Sequence, residues 1–126
     1  MGPTIKAKAV NWLASHFGVR SKSVYASKFY MPEHSRTKQS AWWLEIPQSA
    51  IEIPKSAEIH LVCEKSPDVD DFYYLKIPVE FLQRKLPSLD VRENGKVSLF
   101  LSAEPDDMFV DRRGRGQVSF SGFLVS

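Results

Sequence analysis

The hydrophobic pattern of this chain changes its period once, at Gly18, and that change restricts the fold more than any other feature. Before Gly18, apolar residues recur at the spacing of one helical face, at Ile5, Ala9, Trp12 and Leu13. Thr4 can cap such a helix at its start, and Gly18 can end it. We therefore expect a helix over residues 5–17, held to the core by Trp12.

After Gly18 the apolar residues alternate with polar ones, as they do in β-strands. Clusters of Pro, Gly, Ser and Asp divide this region into segments that predict strands near 23–30, 41–47, 58–64, 72–77, 89–93, 96–102 and 117–125. Asn94-Gly95 predicts a hairpin with a type I′ turn between two of them. A short helix is expected over residues 78–86, because proline suits the first helical turn and Pro87 ends the pattern.

This order of elements predicts an α+β domain. We expect an N-terminal helix on a strand-rich, mostly antiparallel sheet or small pseudo-barrel, with one short crossover helix and a C-terminal hairpin. A length of 126 residues suits a single domain over 1–126, with residues 1–3 as a cloning remnant or flexible terminus. At the level of fold alone, the order around Leu75-Lys76-Ile77-Pro78-Val79 resembles the pseudo-barrel DNA-reading domains appended to restriction enzymes. No motif accompanies that resemblance, and a fold does not determine a function.

Cysteine content and hydropathy restrict the cellular location that we expect for the protein. Cys63 is the only cysteine, which excludes an internal disulfide and a thiolate zinc cage. It shares a strand face with Ile59 and Leu61, so we expect a buried, inert thiol. No segment approaches the about 20 apolar residues of a membrane span, and no secretory signal follows Met1. We expect a cytoplasmic protein with no membrane partner.

Charge is distributed unevenly along the chain. Residues 1–40 hold seven Lys or Arg residues and one acid, Glu33, for a net charge of +6. The rest of the chain holds ten basic and fourteen acidic residues, for a net charge of −4. Such an asymmetry predicts a cationic surface that meets an anionic partner.

Two basic loops, 32–40 and 112–116, are the candidate nucleic-acid surface. We expect phosphate contacts from five side chains in these loops: Arg36, Lys38, Arg112, Arg113 and Arg115. Tyr30 or Trp43 would stack on exposed bases. Trp42 and Trp43 point to opposite sides of a strand, so at most one of them belongs to the core. The Arg112-Arg113-Gly114-Arg115-Gly116 segment has two interpretations, an anion-binding loop and a tight surface turn.

Two acidic loops support an alternative from the enzyme class. The first holds Glu64, Asp68, Asp70 and Asp71, and the second holds Glu104, Asp106, Asp107 and Asp111. If folding brought them together, their carboxylates could bind magnesium and activate water in a metal-dependent nuclease. Solvated turns explain the same residues without a metal. A second alternative is a protein-interaction or accessory domain without catalysis, including a homodimer.

Recognisable catalytic and cofactor motifs are absent from the sequence. It contains no GxSxG, HExxH, CxxC, phosphate loop or EF-hand pattern. The three histidines are too scattered for a triad or metal box: we expect His16 to be partly buried beside a helix, His60 to point outward from a strand and His34 to lie in a polar loop. We therefore predict no cofactor, metal ligand or catalytic residue.

Overall fold

The computed structural model describes residues 4–34, 38–67 and 69–125. Its helices are α1 (Ile5–Phe17), α2 (Gln48–Glu52) and α3 (Val79–Lys85). Its strands are β1 (Val24–Ser27), β2 (Ala41–Pro47), β3 (Glu58–Glu64), β4 (Phe72–Pro78), β5 (Asp90–Val91), β6 (Lys96–Ser102) and β7 (Leu124–Val125). Short 3₁₀ turns lie at Pro32–His34, Leu86–Ser88 and Ser121–Phe123. The predicted remnant at residues 1–3 lies outside the described residues.

Helix α1 begins and ends as its sequence predicts. The Thr4 hydroxyl accepts the backbone N–H of Ala7 at 3.1 Å, which satisfies one of the free donors of the first turn. Gly18 adopts a left-handed φ of 66°, and its N–H donates to the Ala14 carbonyl at 3.0 Å. Glycine ends the helix here because it takes this conformation without a steric cost.

The strands form two sheets, with the orders β1-β3-β4-β7 and β2-β6-β5. Only the β1–β3 pair is parallel, and the other strand pairs in these sheets are antiparallel. The sheets meet where Tyr30 and Ala41 form an isolated antiparallel bridge, with N–H to carbonyl distances of 2.9 and 3.1 Å. Within the described residues the strands do not close into a barrel, so the α+β architecture is confirmed in its open, two-sheet form.

The main core lies between the two sheets. Ile59, Leu61 and Cys63 of β3 point into it, as predicted from their alternation. Trp42 of β2 is fully buried there and stacks on Phe109, with ring centroids 5.1 Å apart. Its indole N–H donates to the Glu64 carbonyl at 2.7 Å, so the polar atom of this large ring has a partner. Burial also raises the pKa of the Cys63 thiol, which keeps it protonated and inert.

A second apolar cluster lies on the other face of the four-stranded sheet, where α1 packs. Ala9 and Leu13 are fully buried against four sheet residues: Val24, Val62, Phe72 and Tyr74. Trp12 is only half-buried at the edge of this cluster, with its ring 5.5 Å from that of Phe72. Ala9 and Leu13 are therefore the fully buried contacts of α1 with the sheet, and Trp12, predicted as the residue that holds the helix to the core, packs at their edge.

Two histidines differ from their predicted environments. His60 is 6% exposed because both faces of β3 are covered, one by the main core and the other by the second cluster. Its Nδ1 lies 2.6 Å from the Tyr74 hydroxyl. His16 is exposed, and its ring stacks on Trp12 with centroids 4.7 Å apart.

The hairpin at Asn94-Gly95 forms, but with a different turn. The Gly95 N–H donates to the Arg92 carbonyl at 3.1 Å, and Gly95 has a φ of 79°. Asn94 is not among the residues with positive φ, so the turn is not type I′. A type I turn followed by one left-handed glycine fits these contacts, as is common in three-residue hairpin loops.

The C-terminal segment is less regular than its alternation predicts. Strand structure within 117–125 is limited to Leu124–Val125, which pairs with β4. Gln117 has a φ of 46°, which interrupts an extended chain, and Ser119 makes a single bridge to Val110.

Helix α2 was not predicted, since its five residues are too few for a helical period to be recognised. None of the helices in the described part of the chain has the length and hydropathy needed to cross a bilayer.

Candidate nucleic-acid interface

An aromatic recess lies on the outer face of the three-stranded sheet. Its volume is about 230 Å³, and it is lined by Tyr30, His34, Trp43, Phe100 and Arg113. We call it the Trp43 recess. Trp43 is 42% exposed whereas Trp42 is fully buried, which confirms that the two rings face opposite ways.

Backbone pairing fixes the positions of the aromatic rings. Trp43 of β2 lies directly opposite Phe100 of β6, so their side chains share one face of the sheet. The Trp43 N–H donates to the Ser27 hydroxyl at 2.9 Å, which attaches the free edge of β2 to β1. Tyr30 reaches the same place through its bridge to Ala41. Three segments distant in sequence thus bring three rings together.

Asp111 organises the loop that supplies Arg113. Its carboxylate is fully buried and accepts backbone N–H groups from Phe100, Arg113 and Gly114, at 3.0, 3.1 and 3.0 Å. Burial raises the pKa of Asp111, and the three hydrogen bonds act in the opposite direction. This carboxylate serves the architecture of the loop, because its oxygens are occupied by the chain itself.

The two glycines of the loop allow close packing against Ser88. A Cβ atom at Gly114 would lie 2.4 Å from the Ser88 carbonyl oxygen and 2.7 Å from Asp111 Oδ2. A Cβ atom at Gly116 would lie 2.5 Å from the Ser88 Cβ. All three distances are shorter than real side-chain contacts, so glycine is required at both positions. These contacts favour the tight-turn interpretation of the backbone, with the arginine side chains projecting from it.

Acidic neighbours neutralise two of the three loop arginines. Arg112 forms an ion pair with Asp107 and also donates to the Gln117 side-chain carbonyl at 3.2 Å. Arg113 forms an ion pair with Asp90, and only 17% of the Arg113 side chain is exposed. The two pairs hold both guanidinium groups in place and reduce the charge they offer to a ligand.

Two of the predicted cations remain exposed. Arg115 and Lys38 form no ion pair with any residue that the structure describes. Arg36 lies outside the described residues. The structure therefore brings Tyr30, Trp43 and Arg113 together in one recess and leaves Lys38 and Arg115 as exposed cations on the basic loops.

The acidic loops make contacts of their own. Glu64 is buried and accepts the Phe29 N–H at 3.0 Å, Asp70 pairs with Lys8 at 3.4 Å and Asp71 pairs with Lys65 at 3.3 Å. Asp68 lies outside the described residues. Within residues 4–34, 38–67 and 69–125, no three His, Cys, Asp or Glu side chains gather as metal ligands.

Sequence reasoning missed two members of the recess, Phe100 and His34. Phe100 lies in a strand that was predicted correctly, but its place beside Trp43 depends on the pairing of β2 with β6, across more than fifty residues. His34 ends the 3₁₀ turn Pro32–His34, whose three residues carry no period. The only signal in the sequence was their chemistry: Phe100 has a large apolar ring, and His34 has an imidazole within the predicted basic loop 32–40.

No protein-family model, curated protein sequence or solved structure matches this chain.

Proposed function

We propose that this chain is a small binding module for single-stranded nucleic acid, with one base held in the Trp43 recess. The observation that carries the proposal is the convergence of Tyr30, Trp43 and Phe100 with Arg113 around one opening. Aromatic faces stack on bases of any sequence, and a guanidinium beside them adds a polar or cation–π contact.

The size and lining of the recess favour a single planar ring. A volume of about 230 Å³ is below the roughly 300 to 1,000 Å³ of pockets that hold drug-sized ligands. A base in a duplex is stacked and paired, so its face is not available to Trp43. We therefore expect an unpaired strand to bind and a duplex of the same sequence to bind weakly.

The free cations determine the expected response to salt. Lys38 and Arg115 are exposed and unpaired among the described residues, whereas Arg112 and Arg113 have acidic partners. For a single strand, log K falls by about 0.7 per unit of log salt for each phosphate that the protein neutralises. Two phosphate contacts would give a slope of about −1.4, which is shallower than the slope expected if all five predicted cations met phosphates.

The experiment is a titration of a labelled, unstructured oligonucleotide of about 12 nucleotides, as DNA and as RNA, at about 50 and 200 mM salt. Trp43→Ala should weaken binding about 5- to 150-fold, because one base–aromatic stack is worth about 1 to 3 kcal/mol. Leu124→Ala is the matched control, since Leu124 is 41% exposed and lies on the other sheet. Absence of binding at the lower salt concentration, or equal affinities of the two variants, would refute the proposal.

The same samples test the alternatives. A metal-dependent nuclease would cleave the oligonucleotide when magnesium or manganese is present, and millimolar metal would raise the Tm of the protein. An interaction module would bind no oligonucleotide and would form a dimer or larger species in light scattering.

Cytoplasmic location is part of the proposal, because a chain with one buried thiol needs no oxidising compartment.

A further inference from the structure

A second concave surface lies away from the Trp43 recess, between the start of β1, helix α2 and the turn at residues 53–56. Its volume is about 710 Å³, within the range of sites that hold small molecules. Two lysines, Lys22 and Lys55, are among its lining residues, and we call it the Lys22–Lys55 groove. Among the described residues, none lines both the groove and the Trp43 recess.

The lysines of this groove lack acidic partners among the described residues. Lys22 and Lys55 are exposed, and neither forms an ion pair there. The acids nearest to Lys55 in sequence have other partners: Glu52 accepts from the Gln48 side chain, and Glu58 pairs with Lys76 at 3.5 Å. Within the described residues the two lysines are therefore not held in ion pairs, in contrast to Arg112 and Arg113.

The excess of positive charge continues beside the groove. Arg20 is exposed, forms no ion pair within the described residues and lines a smaller depression that shares Ser21 and Lys22 with the groove. An anion at Lys22 would thus meet further positive charge from Arg20.

An apolar surface lies within the same groove. Tyr25, Pro47, Ala50 and Ile53 contribute to its lining. Ile53 is 77% exposed, the largest exposed fraction among the large hydrophobic side chains described. Ile53 is not an isolated exposed residue, because Tyr25, Pro47 and Ala50 line the same concave surface. A contiguous apolar surface of this kind marks a place where a ligand binds.

We propose that the Lys22–Lys55 groove binds a small phosphomonoester with a planar apolar body. The body would lie on Tyr25 and Ile53, and the phosphate would meet the ammonium groups of Lys22 and Lys55 with hydroxyls such as that of Ser21 beside them. Lysine suits this role as a compact point charge for phosphate. The site is separate from the proposed nucleic-acid surface and does not depend on it.

The test uses 1-naphthyl phosphate as the probe, with 1-naphthol and inorganic phosphate as its two halves. Amide chemical shifts of the full chain are followed by NMR during titration. Shifts should concentrate at Lys22, Ser23, Ala50 and Ile53, and each half alone should bind at least about 10-fold more weakly than the whole.

Two sets of variants identify the contacts. Lys22→Gln with Lys55→Gln should weaken naphthyl phosphate at least about 10-fold, since hydrogen bonds to charged groups are among the stronger polar contacts. Ile53→Asn should weaken naphthyl phosphate but leave inorganic phosphate unchanged. The control is Lys28→Gln with Lys96→Gln, two exposed lysines outside both sites.

The inference is overturned if there are no shifts at millimolar probe, if the shifts are centred on Trp43, or if the groove and control variants bind the probe equally. The oligonucleotide titration keeps the two proposals distinguishable. The Lys22/Lys55 double variant should bind oligonucleotide normally, and Trp43→Ala should bind naphthyl phosphate normally. If the double variant loses oligonucleotide affinity, the groove belongs to the nucleic-acid surface and the small-ligand proposal fails.

Discussion

The buried carboxylate of Asp111 accepts the backbone N–H of Gly114 at 3.0 Å, and any side chain at Gly114 would collide with that carboxylate. The contact joins a negative charge inside the protein to the loop that carries three arginines. It holds that loop in the shape that places Arg113 at the Trp43 recess.

Gly114→Ala should therefore destabilise the fold by about 1 to 3 kcal/mol, the usual cost of forcing a methyl group into packed surroundings. Gly122→Ala is the matched control, because a Cβ there meets nothing within 4 Å. Urea unfolding of both variants measures the difference. Equal midpoints would show that the loop moves away from Ser88 at little cost.

Leu13→Ala should cost about 2 to 5 kcal/mol, because Leu13 is fully buried between α1 and the sheet. Trp12→Ala should cost less than the roughly 3 kcal/mol at the low end for a fully buried tryptophan, since Trp12 is half-buried. The two free energies of unfolding, measured side by side, rank the residues. A larger loss for Trp12→Ala would restore the tryptophan as the anchor of the helix.

His60 should make stability depend on pH near neutrality. Burial lowers the pKa of His60 below its ordinary 6.5, with Glu58 raising it and Lys76 lowering it to a smaller extent. The unfolded chain therefore takes up a proton as pH falls through about 6.5, while the folded chain does not, so stability is lost on acidification. The Tm of the protein should fall between about pH 7.5 and 5.5, and the fall should be smaller in His60→Gln. Identical falls would assign the effect to other groups.

Cys63 should not react with a thiol reagent in the native protein. It is fully buried, and burial raises the pKa of its thiol, so neither access nor thiolate is available. Mass spectrometry after a short exposure to iodoacetamide should show the label only when urea is present. Rapid labelling without urea would show that the strand opens readily.

Local patterns predicted much of this fold. The three strands over 41–47, 58–64 and 96–102 have the bounds that alternation gave them, and α1 has both of its predicted caps. These elements are specified by residues that are close together in the sequence, so their spacing can be read from the sequence alone.

Features that depend on distant pairing were not predictable in the same way. The parallel partnership of β1 with β3 and the covering of the His60 face arise only when separate segments meet. For the same reason Phe100 was not predicted as a site residue, although Tyr30 and Trp43 were. The ion pair between Arg113 and Asp90 joins residues 23 positions apart, and spacing gave no sign that these charges compensate each other.

Helix α1 contacts a different set of buried side chains from those that hold the two sheets together. The four-stranded sheet separates these sets, so the helix can lift away while the layer between the sheets stays closed. Native-state hydrogen exchange should then reveal α1 as a cooperative unit of its own, whose amides exchange at a lower opening free energy than those of β3 and β6. The molecule would in that case have a native-like, partly open state with the Tyr74 side of its sheet exposed to water.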